Sequence, residues 1–310
     1  MSEARAQVVE EVDVKREVQA FYDSVGWMAV GEGLYQNARY EDLRPVTREY
    51  IRRCHLRVGR HLPSTGRRLL DAGSGPVQYP EYLEYSRGFA RRVCLDISLR
   101  ALTEARVRLG DHGVYVVGDL ASLPFQPAAF EGVVSLHALH HLPAEEHQRG
   151  LEEMYRVLRP QGKAVVVYAW GDGGLLMRLL EWPTRWVLRR LRRGRAVVDA
   201  DSASVTLGPG GAPIRPAKAT HTYKHNYRWA VAALSTLPGS EICVWRTVNT
   251  GFLRAFIHPR FLGGLWLRML YAWEELTPHL LGRIGQYPMF TFSKPALSKP
   301  GVMREGNGVD

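Results

Sequence analysis

The sequence predicts an α/β fold, in which a mostly parallel, seven-stranded sheet carries helices on both faces. Short apolar runs recur about every 20 to 30 residues between positions 68 and 170, as buried strands do. Stretches with helical periodicity, such as LRALTEARVRLG, separate these runs. Strands that alternate with helices favour a parallel sheet covered on both sides.

The first part of the predicted core comprises residues 68–170. Residues 1–67 precede it, contain helical patches and are expected to form a lid or brace. The helix before the fifth strand has its apolar residues on one face, and Pro160 and Gly162 are expected to end it. Seven strands are predicted in chain order, in the segments RRLLDA, RRVCLDI, VYVVGDL, FEGVVSL, KAVVVYAW, EICVWRTV and YPMFTFS.

Two insertions are predicted after the fifth strand. Residues 171–222 are expected to cap the substrate and include a loop rich in Gly, Pro and Ser at 199–220. Residues 223–295 complete the core around a second, apolar insertion at 249–285, and 296–310 are expected to be a disordered tail. Inserted loops on a rigid scaffold often carry specificity, so substrate choice is assigned to the insertions and to the N-terminal helices.

The composition indicates a globular protein and excludes several classes. Of 310 residues, 45% are apolar and 23% charged, which argues against disordered and fibrous chains. The three cysteines are far apart and form no CxxC pair, so no disulfide framework or zinc site is expected. A reducing compartment fits this cysteine usage. Because the N-terminus lacks an apolar leader, a cytoplasmic location is predicted.

The net charge of +10 allows several partners: nucleic acid, a membrane surface or an anionic substrate. Six arginines lie between residues 185 and 195, which makes the charge a local feature.

A glycine-rich turn, DAGSGPVQ, follows the first predicted strand, where parallel sheets commonly bind ligands. A dinucleotide fingerprint needs a third glycine where this chain has Gln78. Pro76 offers no backbone N–H to a phosphate. The turn therefore favours a ligand that approaches the backbone closely without a pyrophosphate.

Acidic residues follow the next two strands. Asp96 lies 21 residues after Gly75, where a carboxylate can accept hydrogen bonds from both hydroxyls of a ribose. Asp119 follows the third strand, where an acceptor can meet the exocyclic amine of an adenine. A single acid at a strand end is often only a turn or cap residue, but acids at three successive strand ends weaken that interpretation.

Residues 68–170 resemble the Rossmann-like, class I S-adenosylmethionine-dependent methyltransferases, particularly the ubiquinone and menaquinone branch. The segments LLDAGSG, VCLDIS, GDLASLPF, FEGVVSLHALHHL and MYRVLRPQGKAVVV occur in that family's order. The resemblance covers about a third of the chain. One departure is Pro76-Val77, where many members have a threonine-glycine pair. The resemblance implies S-adenosylmethionine as cofactor, contacted by Asp71, Gly73, Gly75, Asp96, Ile97, Asp119, Leu120, Ser135 and His137.

Each part of the cofactor has an implied contact. Asp71 and Gly73 would line the methionine moiety, and Gly75 would allow close passage. Asp96 would bind the ribose, and Asp119 with Leu120 the adenine.

Methyl transfer from a sulfonium is an in-line displacement, so positioning can supply most of the catalysis. Ser135 and His137 would lie beside the sulfonium. His140 or His141 is the candidate base if the acceptor carries a proton, although both could equally support the turn by packing. No metal site is expected. Four residues are candidate substrate contacts: Tyr22, Tyr40, Tyr223 and His225.

The sequence thus predicts a methyltransferase that acts on a hydrophobic small molecule or lipid-like acceptor, at oxygen or carbon. Two alternatives stay open: a nucleic-acid methyltransferase, and a non-catalytic cofactor-binding or membrane-associated scaffold subunit. The segment HALHHLP replaces the Asn/Asp-Pro-Pro-aromatic motif of amino-directed nucleic-acid enzymes, so nucleic acid is the weaker partner.

The first insertion also suggests a membrane partner. Residues 175–195 place apolar side chains at helical spacing, with arginines expected opposite them and a kink expected at Pro183. This pattern predicts peripheral contact with an anionic membrane. The competing interpretation is that the two insertions pack on each other as a lid, with solvated arginines. In either interpretation, the apolar side of this predicted helix comprises Leu175, Leu176, Leu179, Leu180, Trp186, Val187 and Leu191.

Overall fold

A computed structural model describes residues 13–27, 29–31, 34–35, 41–171, 173–196 and 220–296. Its main feature is one seven-stranded sheet of order β3-β2-β1-β4-β5-β7-β6, in which β7 alone runs antiparallel to its neighbours. The predicted fold is therefore confirmed. The strands are β1 Gly66–Ala72, β2 Phe89–Asp96, β3 Gly113–Val117, β4 Phe130–Leu136, β5 Leu158–Val167, β6 Glu241–Arg246 and β7 Tyr287–Ser293.

Helices cover both faces of the sheet. Helix α1 comprises residues 13–21 and continues into a π-helical turn, Tyr22–Gly26; a short hairpin of Ala29–Gly31 and Leu34–Tyr35 follows. The other helices are α2 Pro45–Arg57, α3 Pro80–Leu83, α4 Leu99–Leu109, α5 His147–Val157, α6 Gly174–Ala196, α7 Tyr227–Leu234, α8 Thr250–Phe256, α9 Gly263–Leu276 and α10 Pro278–Ile284.

The central strands are apolar because both of their faces are covered. Leu69, Leu70 and Ala72 of β1 are fully buried, as are Val133 and Val134 of β4. The strand order reverses between β1 and β4, and ligands bind at such a switch point, beyond the carboxyl ends of the strands.

Helix α5 ends earlier than the sequence suggested. Its last residue is Val157, and β5 begins immediately at Leu158, which pairs with Phe130. The next pair joins Gly132 to Lys163, so the residues between form an irregularity in the ladder. Pro160 and Gly162 therefore lie inside the bulged start of a strand. A bulge tolerates proline because that position need not donate to the ladder.

The two insertions contact each other, since α6 packs against α8 and α10. Helix α6 contains Pro183 and buries Met177 and Thr184, with Leu176 and Leu180 packed beside them. The predicted apolar side is thus divided between the protein and solvent. Its exposed members are Leu175, Leu179, Trp186 and Leu191.

Much of the predicted loop and tail lies outside the described residues, namely 197–219 and 297–310. None of the helices in the described part of the chain has the length and apolar character needed to cross a bilayer.

Candidate active site

A cavity of about 470 Å³ opens at the carboxyl ends of the parallel strands. Its floor is the glycine turn after β1. Helix α1 and its π-helical extension form one wall, and residues 220–224 and the end of β6 form another. Most of the predicted cofactor contacts line it: Asp71, Gly73, Gly75, Asp96, Ile97, Asp119, Leu120 and His137.

The floor requires glycine at two positions. Gly73 and Gly75 have φ angles of +74° and +53°, which residues with a Cβ rarely adopt. A Cβ on Gly73 would lie 2.2 Å from that of Ala138, and one on Gly75 would come within 3.0 Å of the Trp27 ring. The side chains of Ala138 and Trp27 therefore pack closely against the backbone of the turn, and only glycine fits at these two positions.

Two backbone N–H groups hold the carboxylate of Asp96 in place. One carboxylate oxygen accepts from Gly75 N at 2.8 Å and the other from Ser98 N at 2.9 Å. Desolvation raises the pKa of Asp96 to about 6. Each oxygen can accept a further hydrogen bond, so this carboxylate can bind a diol in the cavity.

Asp119 has a partner that the sequence did not reveal. Lys15 of α1 binds Asp119 Oδ2 at 2.7 Å and also reaches Glu146 Oε2 at 2.6 Å. Ala121 N donates to Asp119 Oδ1 at 2.9 Å. Because a carboxylate accepts about four hydrogen bonds, Asp119 keeps capacity for an amine of the ligand. The ion pairs fasten α1 against this end of the cavity.

Asp71 lines the cavity, but its carboxylate forms a buried ion pair with Arg92. The fully buried Arg92 donates to Asp71 Oδ2 through Nε at 3.1 Å and through a second guanidinium nitrogen. The buried pair fixes the end of β1 against β2. Asp71 is therefore a structural support of the turn, and its role as a direct cofactor contact stays a prediction.

Three histidines follow β4 and stay neutral. His137, with a φ of +56°, packs edge-on against Trp245 and Tyr287, and desolvation lowers its pKa to about 3. Desolvation also lowers the pKa of His140 well below its usual range. His140 Nδ1 is buried and has no hydrogen-bond partner among the described residues. A neutral imidazole can accept a proton, but this lowered pKa makes His140 a weaker base than a free imidazole.

His141 has both nitrogens engaged. Nδ1 lies 2.9 Å from the carbonyl oxygen of His221, so it must carry the proton and donate. Nε2 then accepts from the Tyr22 hydroxyl at 2.7 Å. Desolvation lowers the pKa of His141 to about 4. In this tautomer the Tyr22 hydroxyl occupies His141 Nε2, so His141 is the less accessible of the two candidate bases.

The other half of the cavity, here called the aromatic half, is lined by Tyr79, Tyr82 and Tyr287 and contains one buried ion pair. Arg246 at the end of β6 is 1% exposed and binds Glu41 at 2.5 Å. Its guanidinium lies 4.6 Å from the centre of the Tyr287 ring, and its Nε has no partner among the described residues. Tyr79 and Tyr82 line the same half. An arginine in the otherwise apolar segment EICVWRTV was a usable signal in the sequence.

Other predicted residues lie outside the cavity wall. Ser135 is fully buried within β4 and does not line the cavity. Tyr223 and His225 do not line it either, because His225 stacks on Trp229 with ring centres 4.0 Å apart and Tyr223 contacts His225. Their neighbours replace them in the wall: Thr220, Thr222 and Lys224. Tyr40 lies outside the described residues.

One group of possible metal ligands occurs in the described part of the chain, away from this cavity. Glu241, Cys243 and His279 bring their ligand atoms within 4.8 Å of one another. His279 Nδ1 lies 3.1 Å from the carbonyl oxygen of Ile242 and so must donate there. That nitrogen therefore offers no lone pair to a metal. None of the three lines the cavity, and the expectation of a metal-free site stays a prediction.

Comparison with known proteins places the core in one class. Residues 70–166 match the model of a methyltransferase domain. A phthiotriol/phenolphthiotriol dimycocerosates methyltransferase of Mycobacterium ulcerans is 31% identical over 139 residues, 41% of this chain and 50% of that protein. A demethylmenaquinone methyltransferase of Renibacterium salmoninarum is 35% identical over 103 residues, 33% of this chain and 40% of that protein.

A solved structure shows the same fold over nearly the whole chain. It is the Haemonchus contortus phosphoethanolamine N-methyltransferase 1, in complex with phosphoethanolamine and S-adenosylhomocysteine. The TM-score is 0.53 at 11% identity, and the alignment covers 94% of this chain and 50% of that one. The chain spans about half the length of the curated relatives described above.

The core is a methyltransferase domain of the class I, Rossmann-like type. Its cofactor is S-adenosylmethionine, as predicted. The residues present fit this cofactor, because the glycine turn, Asp96 and Asp119 line one cavity and both carboxylates keep acceptor capacity for the hydroxyls and the amine of a nucleoside. The roles of the individual residues stay predictions.

Proposed function

We propose that the protein transfers a methyl group from S-adenosylmethionine to oxygen or carbon of a hydrophobic small molecule or lipid-like acceptor. One observation carries the proposal: a single cavity joins the glycine floor and its carboxylates to an aromatic half around Tyr79, Tyr82 and Tyr287. The two reactants can therefore meet in one enclosed space, next to the histidines that follow β4.

The chemistry of the aromatic half supports a largely apolar acceptor with one polar group. Arg246 and Glu41 neutralise each other, so the charge of this pair does not demand a charged substrate, and Lys224 is the remaining cation of the adjoining wall. Arg246 lines this half of the cavity, so its guanidinium group is the candidate donor for one acceptor oxygen. The names of the two curated relatives, which refer to a lipid and to a quinone precursor, are consistent with such a substrate.

The bound cofactor supplies an electrophilic methyl group on a sulfonium sulfur. The chain's own residues position the acceptor and exclude water. Tyr22, fixed by His141, closes the cavity on the side of α1. His140 lines the cavity and is the candidate base for a hydroxyl acceptor, although desolvation makes it a weaker base than a free imidazole. An already ionised or carbon acceptor would need only the positioning.

The decisive experiment uses purified protein with S-adenosylmethionine labelled in the methyl group. Lipid extracts, quinone precursors and RNA are offered separately, and transfer of label is followed by chromatography. We expect label in an apolar, organic-soluble product, and much less of it with Asp96→Ala at limiting cofactor. Label in RNA alone would replace the proposed acceptor class. Cofactor binding without transfer to any extract would favour the non-catalytic alternative.

A further inference from the structure

Helix α6 exposes an apolar stripe to solvent. Leu175, Leu179, Trp182 and Trp186 are spaced by four, three and four residues and so share one face. Their exposed fractions are 57%, 69%, 75% and 45%. Side chains of this size are seldom exposed together on one helix face, which marks the stripe as an interaction surface.

Arginines flank this stripe on the same helix. Arg178, Arg185, Arg189 and Arg190 are exposed, and Glu181 is the one acid among residues 174–191. Arg190 lies 4.2 Å from the centre of the Trp186 ring, and Arg185 pairs with Glu181 at 2.5 Å. The surface is therefore both apolar and positively charged.

Helix α9 exposes a second stripe: Leu265, Trp266, Met269, Trp273 and Leu276, with exposed fractions of 51%, 58%, 54%, 46% and 81%. Neither acid of α9 lies on this stripe. Glu274 is fully buried and binds Arg57, and Glu275 is exposed on another side of the helix, where it binds Arg57 and Arg60. No acid therefore opposes an anionic partner on this stripe.

Helix α10 packs against both α6 and α9, and so joins the two helices that carry the stripes. Leu280 of α10 adds a further side chain that is 50% exposed. We propose that the exposed faces of α6 and α9 dock the protein on the surface of a lipid bilayer that carries anionic headgroups. Tryptophan and leucine would enter the headgroup region while the arginines contact lipid phosphates.

The same features disfavour other occupants. A two-fold dimer places the same patch of each copy against the other, so the arginines of α6 would face arginines. RNA would match the arginines but leave Leu175, Leu179 and the α9 stripe in water. No described helix is long and apolar enough to cross the bilayer, so the contact lies at its surface.

The test measures co-sedimentation with vesicles of phosphatidylcholine, with and without phosphatidylglycerol, in the absence of cofactor and acceptor. Its outcome is therefore independent of the proposed reaction. We expect binding that requires phosphatidylglycerol and weakens as salt is added. Arg185→Gln, Arg189→Gln and Arg190→Gln together should weaken partitioning about a hundredfold, since one arginine near an anionic surface contributes roughly fivefold.

The apolar contribution is tested by the pair Leu179→Ser and Trp182→Ser, which should weaken partitioning about tenfold or more. Both side chains are exposed, so folding should persist and can be checked by circular dichroism. Matched controls lie near β2 and β3, at the opposite edge of the sheet: Leu99→Ser with Val107→Ser, and Arg87→Gln, Arg91→Gln and Arg106→Gln together. The controls should bind as the wild type does.

Four results would overturn the proposal. The wild type could ignore anionic vesicles at low salt, or the stripe variants could bind as well as the controls. The protein could form a dimer that the serine pair dissociates, which would make a second copy the occupant. RNA could compete the protein off vesicles with an affinity that depends on the same arginines, which would move the nucleic-acid interpretation ahead.

Discussion

Replacing Asp96 with alanine removes the carboxylate that we assign to the cofactor ribose. The side chain lies at the carboxyl end of β2, lines the cavity and is fixed by Gly75 N and Ser98 N. Its remaining acceptor capacity can take two hydroxyl groups. The variant therefore tests whether the cavity binds S-adenosylmethionine as the geometry suggests.

The expected loss of cofactor binding is about 2 to 3 kcal/mol. A hydrogen bond to a charged group contributes about 1.5 to 3 kcal/mol, and water replaces part of two such bonds in the variant. The dissociation constant should then rise about 30- to 150-fold, at about 1.4 kcal/mol per factor of ten. Folding should persist, because removal of a desolvated carboxylate offsets the loss of an acceptor for two backbone donors.

Titration calorimetry of the wild type and Asp96→Ala measures this change. Asp111→Ala is the matched control, since Asp111 is exposed and does not line the cavity. An unchanged cofactor affinity in a folded Asp96→Ala protein would refute the assignment. A nicotinamide dinucleotide should not bind comparably, and tight binding of it would overturn the interpretation of Pro76 and Gln78.

The same carboxylate predicts a pH dependence. Its pKa is raised to about 6, so it is mostly ionised at neutral pH and becomes protonated as the pH falls below that value. A protonated carboxyl loses acceptor capacity, so cofactor affinity should fall between about pH 7.5 and about pH 5. Asp96→Ala should flatten that part of the profile, and an unaltered slope would assign it to another group.

Three further variants test the base, the closing contact and the support of the glycine turn. If His140 is the general base, His140→Gln should lower kcat by about 10² to 10⁴ while cofactor affinity stays near that of the wild type; a loss below tenfold would favour pure positioning. Tyr22→Phe removes the hydroxyl that binds His141 and should lower kcat/KM about tenfold in initial-rate assays; an unchanged value would mean that this contact does not close the cavity. Asp71→Ala leaves the buried Arg92 without its partner and should lower the free energy of unfolding by about 3 to 5 kcal/mol in urea denaturation; a change below about 1 kcal/mol would contradict the structural role of the pair.

The sequence was sufficient for the sheet and for the floor of the cavity because their signals are local. A buried parallel strand is a short apolar run, and the residue that follows it lies at the ligand edge of the sheet. Asp96 and Asp119 could therefore be assigned to the cavity without knowing any contact. The bulge at the start of β5 was missed because proline and glycine end helices and interrupt strands alike.

Contacts between distant residues could not be predicted in this way. Lys15 meets Asp119 across 104 residues of chain, and Arg246 meets Glu41 across 205. The sequence also did not reveal which residues of a strand or helix reach the cavity or the solvent. Ser135 lies inside β4 and is fully buried, whereas His137 follows the end of the strand with a φ of +56° and lines the cavity. On α6, Leu175 and Leu176 lie about 100° apart, so a broad apolar arc did not reveal which part the protein covers.

The cavity wall formed by α1 and its π-helical extension connects several parts of the site through one short segment. Lys15, Tyr22 and Trp27 all belong to residues 13–27, and they contact the carboxylate, the histidine and the glycine floor, respectively. Residues 220–224 form a different wall, next to the aromatic half. A shift of residues 13–27 would therefore disturb the carboxylate, the histidine and the glycine floor together. Residues 220–224 contact a different part of the cavity, which makes them the better positions at which to vary acceptor range without disturbing those three contacts.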